Sequence, residues 1–209
     1  MRLSLVLSLI LVMAACSPAA PPATAQVVQP TLPPTVQVAQ PTFPSTLEPE
    51  KPAQEIDMVL RLTTPAFEEG GSIPPRFTCT GEDISPALEW SEPPGGTQSF
   101  ALIMDDPDAP SGTFVHWVIF NIPASSRGLS EAMPQGASLN DGTQQGLGSS
   151  HENGYMGPCP PSGTHRYFFK LYALDAMLTI SSNVGAGDLM KALSGHILAN
   201  AELMGTFKK

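Results

Sequence analysis

"SFALIMDDPDAPSGTFVHWVIFNIP", residues 99–123, decides how the rest of the chain is read. Its first six residues form a continuous apolar run, the pattern of a buried strand. "TFVHWVIFNIP" predicts a second strand, stopped by Pro123. Between them Asp105, Asp106 and Asp108 crowd the mouth of the first strand. Carboxylates are expensive to desolvate, so these three either set a turn, hold a metal or control other groups in a pocket. Asp108 and Pro110 suit a turn on their own. Strand alternation places Phe114, His116, Val118 and Phe120 on one face and Val115, Trp117 and Ile119 on the other. His116 is thus a polar residue within an apolar strand.

Further along, "HRYFFKLYALD" (165–175) predicts a third strand. There His165, Tyr167, Phe169 and Leu171 share a face, opposite Arg166, Phe168, Lys170 and Tyr172. Just upstream, "GPCPPSG" (157–163) predicts a stiff turn that exposes backbone N–H groups. Residues 124–164 are irregular, and a loop of that length in a compact domain is usually functional. Nearer the N-terminus, "MVLRLTTPAF" (58–67) and "ALEW" (87–90) read as strands. Only the C-terminal region looks helical. "DLMKALSGHILANAEL" (188–203) places Leu189, Leu193, His196 and Leu203 near one face, with Asp188 as N-cap, and "MGTFKK" follows as a last strand. Strands followed by a helix predict a mainly β, β-rich α+β fold with a mostly antiparallel sheet.

Two histidines, a tyrosine and free amides make a donor-rich set suited to a small anion. A carboxylate beside an imidazole fixes its tautomer and favours its protonated form, leaving the other nitrogen to donate. Two other chemistries use the same residues. Cys159, His165 and Asp106 read as nucleophile, base and orienter of a thiol hydrolase, although no helix N-terminus follows Cys159 to activate it. His116, His165 and one Asp read as a two-His, one-carboxylate metal set, without short-range ligand spacing. His196 reads as structural and His151 as a solvated loop residue.

The order and spacing of several blocks are more specific than any one of them. "FTCTGEDISPALEW", "DDPDAPSGTFVHW", "NIP", "GYMGPCPPSG" and "HRYFFKLYALD" together resemble the phosphatidylethanolamine-binding protein family, in its bacterial Raf kinase inhibitor-like branch. The resemblance covers nearly all of residues 60–209. It implies a large antiparallel sheet packed with a smaller sheet, a helix near the C-terminus, and a small anion pocket at one end that takes phosphate or a phosphorylated head group. It carries ligand-binding roles to Asp106, Asp108, His116, His165 and Tyr167, and places Cys159 in a turn that presents backbone to the anion. It implies no catalysis, metal or cofactor. The kinase link belongs to the branch's name; no residue of this chain encodes a kinase partner. Only Thr164 separates "PPSG" from "HRY", so the pocket rim is expected to differ from that of many relatives.

The N-terminus reads as a targeting segment. "MRLSLVLSLILVMAAC" carries one Arg and then 13 residues, Leu3 to Ala15, without a charge. That fits a signal h-region and falls short of the ~20 residues needed to span a bilayer. "MAAC" resembles the lipobox of bacterial lipoproteins, with Met13 where Leu is usual. The resemblance implies cleavage after residue 15, lipidation of Cys16, and a protein anchored in the cell envelope on the extracytoplasmic side of a bacterial membrane. Residues 16–55, rich in Pro, Thr and Gln, cannot bury a core and read as a disordered tether. The folded domain is expected over residues 56–209. With Cys16 acylated, Cys79 and Cys159 remain as a candidate disulfide in an oxidising compartment; their sequence positions leave both the bond and free thiols open. The net charge of −9, from 19 acidic and 10 basic residues, argues against a protein that grips nucleic acid by its phosphates.

Overall fold

A computed structural model describes residues 59–209. The signal segment, Cys16, the tether and the first three residues of the expected domain lie outside the described residues.

The domain is built on a five-stranded antiparallel sheet with a three-stranded one against it. The small sheet comprises β1 (Leu62–Thr63), β2 (Leu88–Trp90) and β5 (Gly128–Leu129), in the order β1-β2-β5. The large sheet holds β3 (Ser99–Asp106), β4 (Phe114–Pro123), β6 (Gln144–Gln145), β7 (Thr164–Leu174) and β8 (Ile197–Lys208), in the order β6-β4-β3-β7-β8. Every residue of β3 is buried, because β3 is central and both faces of the sheet are covered. On one face Phe100, Leu102, Met104, Trp117 and Phe169 pack against Leu62, Leu88, Trp90 and Leu129 of the small sheet. On the other, Ala101, Ile103, Val118 and Phe120 meet Leu189 and Leu193 of α1 (Ala186–Leu193). The mainly β fold is what the sequence pattern predicts, and the large and small antiparallel sheets with a helix near the C-terminus are what the family resemblance implies.

The details differ in three places. The first strand is only Leu62–Thr63, and residues 124–164 contribute two short strands, β5 and β6, to otherwise irregular chain. The helix is shorter than the 188–203 expected, and its N-cap is Gly185, with Asp188 inside the first turn. It stops at Leu193 because Gly195 takes φ +85°, a left-handed conformation that ends helices. The chain from Ile197 to Lys208 is then β8, paired along its length with β7. Its true period is two: Ala199, Ala201, Leu203 and Phe207 all pack on the small-sheet side. Two of these four are alanines, so the strand pattern is faint and three leucines mimic a helical stripe.

The third difference bears on function. Met104 pairs with Trp117, and Asp105 pairs with Val115, so His116 is the extra residue of a β-bulge. The bulge breaks the alternation. Trp117 and Ile119 join the core shared with Tyr167, while Val118 and Phe120 face α1. His116, expected to share a face with Val118 and Phe120, instead turns toward Tyr167, with ring centroids 5.3 Å apart.

Candidate functional site

The last residues of β3 and the first residues of β4 and β7 lie together at one end of the large sheet, and their side chains help line a cavity of about 320 Å³. Its walls include Asp106, His116 and His165, with Ala109, Pro110 and Phe114 on one side and Cys159, Pro160 and Pro161 on the other. The pleat separates the adjacent acids of β3. Asp105 projects to the helix side and pairs with Lys170 Nζ at 2.6 Å. Asp106 projects to the cavity side, where its Oδ2 accepts from His165 Nδ1 at 2.7 Å. Both side chains of this second pair are under 10% exposed, so the bond is charge-assisted and little screened. Asp106 Oδ1 accepts the Asp108 N–H at 2.8 Å, closing the turn. Asp108 lies outside the cavity wall, held by the Arg166 guanidinium and backbone N–H at 2.7–3.0 Å. The Arg166 hydrogen bonds hold its carboxyl at a pKa of about 2. The question of the three acids therefore has three answers: a structural ion pair, a histidine partner and a turn anchor.

The two histidines are held differently. His116 Nδ1 donates to the Met156 carbonyl at 2.8 Å. Met156 is fixed next door, because the Gly157 N–H donates to Asp83 Oδ1 at 2.7 Å. Gly157 has to be glycine: a Cβ there would lie 2.5 Å from the Phe77 carbonyl oxygen. Burial lowers the His116 pKa, against smaller upward pulls from the Met156 carbonyl and from Asp106, Asp83 and Asp105. Tyr167 is fully buried behind His116 and is absent from the cavity wall. Its hydroxyl has no hydrogen-bond partner among the described residues. Burial and the Asp106 carboxylate push its pKa well up.

Cys159 is bonded to Cys79, with Cα atoms 5.4 Å apart. Of the arrangements the sequence left open, this is the cross-linked one, and Cys159 has no thiol to act as a nucleophile. The bond ties the Cys159–Pro161 wall to the loop before β2. The "GPCPPSG" turn offers fewer free amides than expected. Three of its residues are prolines without an N–H, and the Gly157 N–H is taken by Asp83. Among the described residues, no three His, Cys, Asp or Glu side chains are grouped as metal ligands would be.

The sequence singled out Asp106, His116, Cys159 and His165, and all four meet at the cavity. Asp108 and Tyr167 stand just outside it. Phe114, Pro110, Met156 and the Asp83–Gly157 bond were not picked out. Phe114 and Pro110 lie within the quoted block and had a signal; Asp83 is 74 residues from Gly157 and had none.

A profile described as phosphatidylethanolamine-binding protein matches residues 63–208. The chain belongs to this family. A UPF0098 protein of Methanothermobacter thermautotrophicus is 51% identical over 150 residues, covering 72% of this chain and 99% of the relative. One of Aquifex aeolicus is 43% identical over 154 residues, covering 72% and 90%. Among solved structures, a homologue of the family from Chlamydia trachomatis superposes with a TM-score of 0.67 at 39% identity, covering 72% of this chain and 98% of the other. YbcL of E. coli superposes at 0.65 with 30% identity and the same coverage.

Proposed function

We propose that this family member is a membrane-tethered binding module for a small oxyanion, inorganic phosphate or a phosphorylated head group, and that it performs no catalysis of its own. One observation carries the reading: two buried histidines on different strands meet at one cavity, each with Nδ1 already committed to an acceptor. Such an arrangement leaves both Nε2 atoms for a ligand. The cavity, about 320 Å³, has room for a phosphoryl group, and Pro110, Phe114, Pro160 and Pro161 give it apolar walls beside the two histidines. Cys159, already cross-linked, serves as part of the wall. The "MAAC" sequence, the uncharged run before it and the proline-rich stretch after it support a lipid anchor at Cys16 with a spacer. The acidic charge balance speaks against nucleic acid as a partner.

The test is calorimetric titration of phosphate and O-phosphorylethanolamine into the protein and into His165→Ala. Removing one charge-assisted bond is expected to weaken binding by roughly 1.5–3 kcal/mol, about ten- to a hundredfold. Equal affinity in the variant would remove the histidine pocket from the binding reaction. For the anchor, blocking lipoprotein signal peptidase is expected to leave a larger precursor; normal processing would refute the anchor.

A further inference from the structure

The carboxylate of Asp105 is only half satisfied, on the face of the sheet away from the histidine cavity. The residue is 7% exposed. Its Oδ2 accepts from Lys170 Nζ at 2.6 Å, but its Oδ1 is buried without a hydrogen-bond partner among the described residues. Such an oxygen costs free energy until a donor reaches it. Asp105 and Lys170 form part of the wall of a second cavity, of about 270 Å³. Ala186 and Gly187, the first two residues of α1, line it as well. The first turn of a helix carries N–H groups without helical partners and a partial positive charge. Here the N-cap, Gly185, has no side chain to bond them, and Asp188 is turned to Lys191. A Cβ built on Gly187 would meet nothing within 4 Å, so this end of the helix is open. Ile103, Val115 and Met190 give the cavity an apolar side.

The charges select the ligand. A lone cation at Asp105 Oδ1 would stand beside Lys170. A lone anion at the helix end would stand beside Asp105. A molecule carrying both charges close together avoids both penalties. We propose that this cavity binds a free α-amino acid with an aliphatic side chain, its ammonium donating to Asp105 Oδ1 and its carboxylate accepting from Lys170 Nζ and the Gly187 N–H. Lys170 has three N–H donors and spends one on Asp105 Oδ2, so it can serve the carboxylate too. The ligand's side chain packs on Ile103 and Val115. Met190, unbranched and 38% exposed, adapts to its shape. The site is independent of the oxyanion reading: the two cavities share no lining residue and lie on opposite faces of the sheet.

Calorimetric titration of L-leucine into the full chain, beside leucinamide and N-acetylleucine, tests the proposal. Leucinamide keeps the ammonium and lacks the carboxylate; N-acetylleucine is the reverse. Leucine is expected to bind at least about tenfold more tightly than either, since each derivative forfeits a charge-assisted contact. Asp105→Asn is expected to weaken leucine by a similar factor. Gly187→Asp sets a negative charge at the open helix end without filling packed space, and is expected to weaken leucine while sparing leucinamide. Saturating phosphate is expected to leave leucine binding unchanged. Leucinamide or N-acetylleucine matching leucine would reduce the site to a single charge and overturn the proposal. So would displacement of leucine by phosphate, or no binding of leucine at all, which would mean that water alone meets Asp105 Oδ1.

Discussion

Strands β7 and β4 each deliver one histidine to the same cavity, and they do it by different means. β7 keeps its alternation from His165 through Ala173, so His165, Tyr167, Phe169 and Leu171 project as period two requires. β4 is bulged at His116, and its register slips again near Asn121, whose φ is +57° and whose amide pairs with the Leu178 backbone. The two histidines therefore arrive from a regular strand and a broken one. Their partners differ as well, a carboxylate for His165 and a backbone carbonyl for His116. A regular strand places a side chain by pattern alone, whereas a bulge turns an extra residue toward the site without changing the composition. The polarity of each histidine is then set by what the rest of the chain brings to its Nδ1.

The contrast can be tested at its supports, the largest effect first. β7 is approached through the wall that the Cys79–Cys159 bond secures, across a sequence separation of 80. Chain-entropy reasoning for a loop of that size gives about 4.5 kcal/mol of stabilisation. Cys159→Ser is expected to lower the urea unfolding free energy by an amount of that order. A loss under about 1 kcal/mol would mean that packing alone holds the β7 side. Next, Asp106→Asn removes the carboxylate behind His165 and leaves the His116–Met156 bond intact. Phosphate affinity is expected to fall roughly ten- to a hundredfold, equivalent to about 1.5–3 kcal/mol, even though a negative charge near an anion is removed. Tighter binding would show that Asp106 acts as a repulsive charge and not as the partner of His165.

The smallest effect is on the β4 side. The folded-state pKa of His116 lies below its ordinary 6.5 because the ring is buried. The unfolded chain therefore binds the extra proton first as pH falls. The stability linked to neutral His116 is complete above ~6.5 and is lost as pH drops from there through the depressed folded value. His116→Gln keeps a donor for Met156 and has no imidazole to titrate, so its stability is expected to vary less than that of the wild type between pH 7 and 5. Parallel pH curves for the two proteins would show that His116 is not held neutral by burial.

The chain's own pattern was enough for much of this. The apolar runs, their spacing and the motif blocks identified the large sheet, the strand carrying His165 and the four residues that meet at the cavity. Local periodicity and turn chemistry carry that information because they act over a few residues. β8 escaped because its buried face is partly alanine, and a run of leucines met the helical period by coincidence. The side to which His116 turns, the separation of Asp105 from Asp106 onto two different partners, and the Asp83 bond that fixes Met156 were settled only in three dimensions. The Cys79–Cys159 bond belongs with them. Each depends on groups 40 to 80 residues apart in the chain being brought within a few ångströms. Strand register and a bulge decide such distances, and neither is written in the residues at the site itself.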